Sequence, residues 1–190
     1  MLQGVDGVII PGGFGHRGAE GKIRIVQYLR ENNIPFLGLC FGMQLAIVEF
    51  ARNVCGLKNA NSTEIDPKTK HPVIFIMPEQ KEIRNKGATM RLGSHKAIAK
   101  EGSLLRRLYK SEFVYERHRH RYEVNPLYHA VLQGKGMAFS GLNEDGRLVE
   151  FIELPNHRFF MATQGHPELK SRLERPSPVF YGLVRACISQ

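Results

Sequence analysis

The chain has 190 residues, with 27 Lys+Arg against 18 Asp+Glu and a formal net charge of +9. That length suits one domain with a full core. The basic balance suits an acidic partner, but the charges are scattered and the one dense basic run, Arg117 to Arg121, is interleaved with Glu116 and Glu123, so nucleic-acid binding is not expected.

Val5 to Ile10 is an apolar run ending in Pro11-Gly12-Gly13-Phe14-Gly15, which reads as a buried parallel strand feeding a glycine loop. Gly18 to Glu31 is predicted helical, with Ile23, Val26, Tyr28 and Leu29 as its packing positions. Ile34 to Leu37 is the next strand, and Met43 to Ala51, apolar nearly all round, is a helix that belongs in an interior. Two strand–helix units in succession predict an α/β fold with a mostly parallel, doubly wound sheet flanked by helices.

Between the second strand and its helix lies Gly38-Leu39-Cys40-Phe41-Gly42. This is the strand–turn–helix context of a nucleophile elbow, with Cys in place of Ser. Glycines two residues either side of Cys40 leave room for a tight turn. The turn sets the sulfur at a helix N-terminus, which favours negative charge.

Gly56 to Lys70 is a polar loop carrying Asn59-Ala60-Asn61-Ser62-Thr63-Glu64, and His71 to Met77 is a strand. Pro78 to Gly87 is charged, and Thr89 to Gly93 opens an extended segment. Gly102 to Tyr109 is a short helix. Phe113 to Glu123 alternates, so one strand would place Arg117, Arg119 and Arg121 on one face and His118, His120 and Tyr122 on the other. Asn125 to Leu132 is a helix, and Met137–Leu142 with Leu148–Leu154 is a hairpin across Asn143-Glu144-Asp145-Gly146. Phe159 to Thr163 is the last strand, and Pro178 to Ile188 is a closing helix with Phe180, Leu183, Val184, Cys187 and Ile188 on its packed face. Three cysteines (40, 55 and 187) match no metal spacing, so no metal site and a reducing, cytoplasmic setting are expected. No run approaches a membrane span, and no signal peptide is visible.

A Cys nucleophile needs a base and a group that orients it. His166 follows the last strand, and Pro167-Glu168 turns a carboxylate back toward it, so the candidate catalytic triad is Cys40, His166 and Glu168. His71, His95 and His129 lie in less defined contexts and read as surface residues. An oxyanion needs backbone donors, and the N–H groups of Phe41 and Gly13 are the candidates. An ordinary strand-end turn remains the alternative for Pro11–Gly15. A phosphate loop is weaker, since no Lys-Ser/Thr follows.

The set PGGFG, GLCFGMQ, NANSTE, TMRLG, ERHRHRYEVN and QGHPE resembles the class I glutamine amidotransferase domain of the CTP synthase family over essentially all 190 residues. The resemblance implies a glutaminase that hydrolyses L-glutamine and passes ammonia to a synthetase domain outside this chain. That domain would use ATP, UTP and magnesium. The resemblance also implies GTP as activator, no cofactor in this domain, and a homo-oligomer in the full-length enzyme. It places glutamine at Gly13, Phe41, Gln44, Glu64 and Arg121. Glu64 suits the substrate ammonium, and Arg121 its carboxylate through a forked pair. GTP is expected near Phe14 and Thr89–Gly93, where an aromatic face and Arg91 could meet a base and a phosphate.

Three features depart from the family pattern. The position before the catalytic His is usually aromatic and here is Gly165, expected to loosen the strand end. The residue after Glu168 is usually Phe and here is Leu169. The family domain begins several dozen residues earlier, with a strand and helix absent here, so the strand at Val8–Ile10 is expected to lie at an edge. The competing reading is a catalytically weak or inactive amidotransferase-like module with a regulatory or assembly role.

Overall fold

Strands β1 (Val8–Ile10), β2 (Phe36–Leu39) and β10 (Phe160–Thr163) lie side by side and parallel, and each ends at a loop rich in glycine or polar residues. They form one end of a seven-stranded sheet in the computed structural model, which describes residues 4–77 and 90–188. The charged stretch Pro78–Gly87 and Thr89 lie outside the described residues. The sheet order is β1-β2-β10-β9-β8-β5-β6, with β5 (Arg91–Ala99), β6 (Phe113–His120), β8 (Ala138–Leu142) and β9 (Val149–Glu153). Every pair from β10 through β6 is antiparallel. The expected α/β class holds, but the sheet is mixed: β1 and β2 are joined by a helical crossover (Ala19–Glu31), while β10 returns beside β2 after the chain has built the antiparallel strands β9, β8, β5 and β6. The hairpin β8–β9 and the pair β5–β6 need no such crossover. Among the described residues β1 is an edge strand, as expected.

Alternation along the central strands sends side chains to two cores. Phe36, Phe160 and Ala162 point to one, with helix α1 (Ala19–Glu31) and helix α2 (Phe41–Asn53). Leu37, Leu39 and Met161 point to the other, with helices α3 (Leu104–Tyr109) and α5 (Pro178–Ile188). The α2 helix is buried from Phe41 through Ala51. A second sheet explains this: β3 (Asn61–Ser62), β4 (Pro72–Ile76) and β7 (Tyr122–Val124) pack on its far side, so it has no solvent face. The Glu49 carboxylate of α2 accepts from Arg30 of α1 at 2.8–3.1 Å and from Asn53 at 3.0 Å.

Two expectations about local structure change. The alternating run 113–123 is two strands, not one. The chain leaves the main sheet at Arg121, and β7 joins the small sheet against β4. In α5 the buried residues are Val179, Gly182 and Leu183, while Val184 is 56% and Ile188 74% exposed. Phe180, Leu183 and Cys187 pack on the second core as the apolar pattern suggests, and Gly182, whose Cβ would stand 2.8 Å from Leu108, makes the close contact that the pattern does not show. Asn125–Leu132 starts as a 3-10 turn (Pro126–Tyr128) before helix α4 (His129–Gly134).

Candidate active site

Cys40 joins β2 to α2 at φ 48° and ψ −101°, a conformation a non-glycine residue holds only where its surroundings enforce it. The enforcement is visible. The Cys40 N–H donates to the Thr163 carbonyl at 2.7 Å, tying the elbow to the end of β10. A Cβ at Gly38 would stand 2.8 Å from the Gly42 backbone and 2.9 Å from Ala162, and one at Gly42 would stand 3.0 Å from the Ile10 carbonyl carbon. The two glycines of the sequence motif are therefore contact points between β1, β2, β10 and α2. The site sits at the carboxyl ends of the parallel strands, where open α/β sheets bind ligands.

His166 Nδ1 and Glu168 Oε1 are 2.6 Å apart. Burial works against the charge on Glu168, but the His166 hydrogen bond holds the carboxyl below its usual range, so it accepts and Nδ1 carries the proton. The His166 imidazole is pushed up to about 10, first by its interaction with the Cys40 sulfur and then by Glu168. Its other nitrogen, Nε2, is buried and meets no acceptor at hydrogen-bonding geometry in this resting arrangement. It is the ring nitrogen left free for the Cys40 sulfur, since Nδ1 is engaged by Glu168. Gly12 lies beside the same ring, since a Cβ there would stand 2.8 Å from His166 Cε1. The expectation that Gly165 loosens this end is not met. Gly165 is buried, its N–H donates to Thr163 Oγ1 at 3.0 Å, and the His166 N–H donates to the Arg117 carbonyl at 2.8 Å.

The glycine loop gathers the remaining candidates. Gly13 lies against Phe41, with its Cβ position 3.6 Å from the Phe41 ring. Among the described residues neither the Gly13 nor the Phe41 N–H is taken up by a backbone acceptor outside the regular elements. The Gly15 N–H donates to Glu64 Oε1 at 2.7 Å, bringing the loop to the first candidate clamp residue. Glu64 and Arg121 flank Tyr122, whose hydroxyl is raised by burial and by Glu64 and opposed by Arg121. Arg121 forms no ion pair among the described residues and sits at the turn between the two sheets. Gln44 is 3% exposed, one helical turn from Cys40. Its Nε2 donates to the Tyr122 carbonyl at 3.2 Å and to Gln164 Oε1 at 3.3 Å.

Gln164 is the side chain that sequence reasoning quoted in a motif but gave no role. It is fully buried, and its Nε2 lies 3.6 Å from Cys40 Sγ as a donor. A second cluster lies behind the triad. Arg91 donates to Glu150 at 2.8 Å and to Glu123 at 3.3 Å, with His118 and His120 beside them. Burial, above all, pushes Glu123 up to about 8 and His118 down to about 2. Arg91 is thus turned inward onto two carboxylates, so it does not present its guanidinium to a phosphate as the sequence suggested. Phe14 is 59% exposed and available. His71, His95 and His129 are half-buried rather than surface residues, and burial lowers His95 and His129. Cys55 and Cys187 pack at the margins of the two cores. Among the described residues no three His, Cys, Asp or Glu side chains converge as a metal site, and no helix is long and apolar enough to cross a membrane.

The family model described as glutamine amidotransferase class-I matches residues 1–186. The chain belongs to the class I glutamine amidotransferase family. It is 60% identical over 186 residues to a CTP synthase of Methanocaldococcus jannaschii, an alignment covering 98% of this chain and 34% of that protein. A Pyrococcus horikoshii CTP synthase is likewise 60% identical over 187 residues, covering 98% of this chain and 35% of that protein. The chain therefore spans about a third of the length of these relatives. Among solved structures, the glutaminase domain of Trypanosoma brucei CTPS with bound acivicin superposes with a TM-score of 0.92 at 41% identity, over all of this chain and 73% of that one. A GMP synthase component from Thermoplasma acidophilum shares the fold at TM-score 0.59 and 17% identity, over 99% of this chain and 75% of that one. The chain thus places a cysteine at a strained elbow and, at the end of the neighbouring strand, an imidazole held by a carboxylate.

Proposed function

We propose that this chain is the glutaminase half of a CTP synthase. One observation carries the reading: Cys40, held at a strained elbow, stands next to an imidazole whose Nδ1 is fixed 2.6 Å from Glu168. The near-60% identity to CTP synthases along the whole chain supports the same assignment. Glutamine lies with its ammonium toward Glu64 and its carboxylate toward Arg121, and its side-chain amide meets Cys40. The sulfur attacks the amide carbon, and the oxygen takes up the negative charge beside the Gly13 and Phe41 N–H groups. His166 carries the proton taken from the Cys40 thiol and gives it to the departing nitrogen, and ammonia leaves as the C–N bond breaks. Water then attacks the thioester with His166 as base, and glutamate is released.

The ammonia passes to a synthetase domain that aminates UTP with ATP and magnesium, in an oligomer activated by GTP and working in the cytoplasm. The exposed Phe14 face supports a nucleobase contact. Arg91, already paired, does not serve the phosphates. The alternative of an inactive module loses its main support, because the backbone on both sides of Gly165 is hydrogen-bonded. Release of glutamate from glutamine by the parent chain, abolished in Cys40→Ala, tests the reading. Equal release by both proteins would refute it.

A further inference from the structure

Three carboxamide contacts run in one direction toward the nucleophile. The Tyr122 carbonyl is an acceptor only, so the Gln44 group facing it at 3.2 Å is the NH₂. That same NH₂ uses its second hydrogen on Gln164 at 3.3 Å, so the Gln164 oxygen must face Gln44. What Gln164 then presents to Cys40 Sγ, at 3.6 Å, is its own NH₂. The backbone carbonyl of Tyr122 thus removes the usual ambiguity between amide oxygen and nitrogen. Gln164 has no freedom to turn otherwise. It is 0% exposed, its backbone N–H donates to the Glu150 carbonyl at 2.9 Å, and the next residue is pinned to Thr163.

We infer that Gln164 is a catalytic residue, the donor that holds the Cys40 sulfur and stabilises negative charge on it before attack and when the thioester breaks. The inference rests on the glutaminase reading and adds to it a residue that touches a reacting atom. Gln164 transfers no proton: its N–H bond persists throughout, and the proton traffic stays with His166. A charged acceptor strengthens such a bond, so the donor favours the anionic sulfur over the neutral thiol. The same chain reaches Tyr122, next to the Arg121 end of the clamp. The nucleophile is therefore wired to the wall of the substrate site through buried amides alone.

Alkylation of Cys40 by iodoacetamide, followed by mass spectrometry from pH 5 to 10, tests this without any glutamine turnover. In Gln164→Met, which keeps the volume and loses the donor, the midpoint of the pH–rate profile should rise by about one unit, the size expected for one hydrogen bond to a charged group. In Gln164→Glu an acceptor replaces the donor, and the rise should be larger. A space-filling role would lower the melting temperature of both variants and leave the midpoint where it is in the parent, which overturns the inference. Should neither variant fold, the parent decides by NMR. The Gln164 side-chain amide protons should shift with the same midpoint as the alkylation profile, and a flat response overturns the assignment. In an active parent, Gln164→Met should also lower kcat about tenfold with KM little changed. A parent that alkylates as expected yet releases no glutamate refutes the glutaminase reading while leaving the Gln164 donor in place, so the two failures are distinguishable.

Discussion

Gly42→Ala tests the claim that the elbow is held by contact with the first strand. Gly42 is the second residue of α2. A Cβ there would stand 3.0 Å from the Ile10 carbonyl carbon, 3.1 Å from Ile10 Cγ2, and closer still to the Ile10 oxygen. None of these is the far end of a flexible side chain, so a strand or a helix has to move. Overpacking of this kind costs about 1–3 kcal/mol, and a backbone neighbour puts it at the upper end. Alanine recovers up to about 1 kcal/mol of helix propensity, less in a first turn. The net is about 2 kcal/mol, which for a chain this size lowers the melting temperature by about 4–8 °C. The strain should be relieved through β1, a three-residue edge strand paired only with β2 among the described residues. Because β1 carries the loop holding Gly12, Gly13 and Gly15, glutaminase kcat should fall as well. Gly21→Ala is the control: Gly21 is an exposed α1 residue with nothing within 4 Å of its Cβ position, and it should gain up to about 1 kcal/mol. Scanning calorimetry of both variants decides. If Gly42→Ala melts at or above the parent while Gly21→Ala behaves as stated, the contact is not what holds the elbow.

Four further outcomes follow from the same structure. Glu49→Ala removes one of the two carboxylates paired with Arg30, which keeps Glu31 at 3.1 Å, and leaves Asn53 without its acceptor, so denaturant unfolding should show a loss of about 2–3 kcal/mol. His166, pushed up to about 10 in the folded chain against an ordinary 6.5, binds a proton more tightly folded than unfolded. Its contribution to stability is therefore full below pH 6.5 and fades as pH rises through 10, and in Cys40→Ala its NMR titration should move to lower pH. Arg121→Ala should raise the KM for glutamine more than it lowers kcat. Glu64→Ala should do both, because it also releases the Gly15 N–H, and steady-state kinetics separate the two. Gly165→Tyr should lower the melting temperature and bring no gain in kcat, since its Cβ would stand 2.8 Å from Glu116 Cβ. A faster, equally stable variant would show that β6 yields there.

Local signals were enough for much of the fold and for the arrangement of the candidate site. Glycines flanking Cys40, a strand before it and an apolar helix after it specify an elbow, because only one tight geometry fits small residues at both flanks. Pro167 between His166 and Glu168 specifies a turn short enough for the carboxylate to reach the imidazole, and the two are found 2.6 Å apart. Alternation in 113–120 gave the inward and outward faces of β6 correctly, since pleating is a property of the strand itself. Partner choice was not legible. Nothing in residues 121–124 says that the chain changes sheets, and it does so because α2 needs a second covering layer. The seating of α5 depends also on where Gly182 meets Leu108, a contact between segments about seventy residues apart, so its own apolar pattern found Phe180, Leu183 and Cys187 but wrongly added Val184 and Ile188. Arg91 looked like an anion contact by type, but its burial beside Glu123 and Glu150 turned it inward. Gln164 acquired its contact with the sulfur only when β10 was laid beside β2. Sequence determines which residue types and which local turns are present. Long-range packing decides which buried polar groups face one another, because each must find its partner among whatever the fold brings within hydrogen-bonding distance.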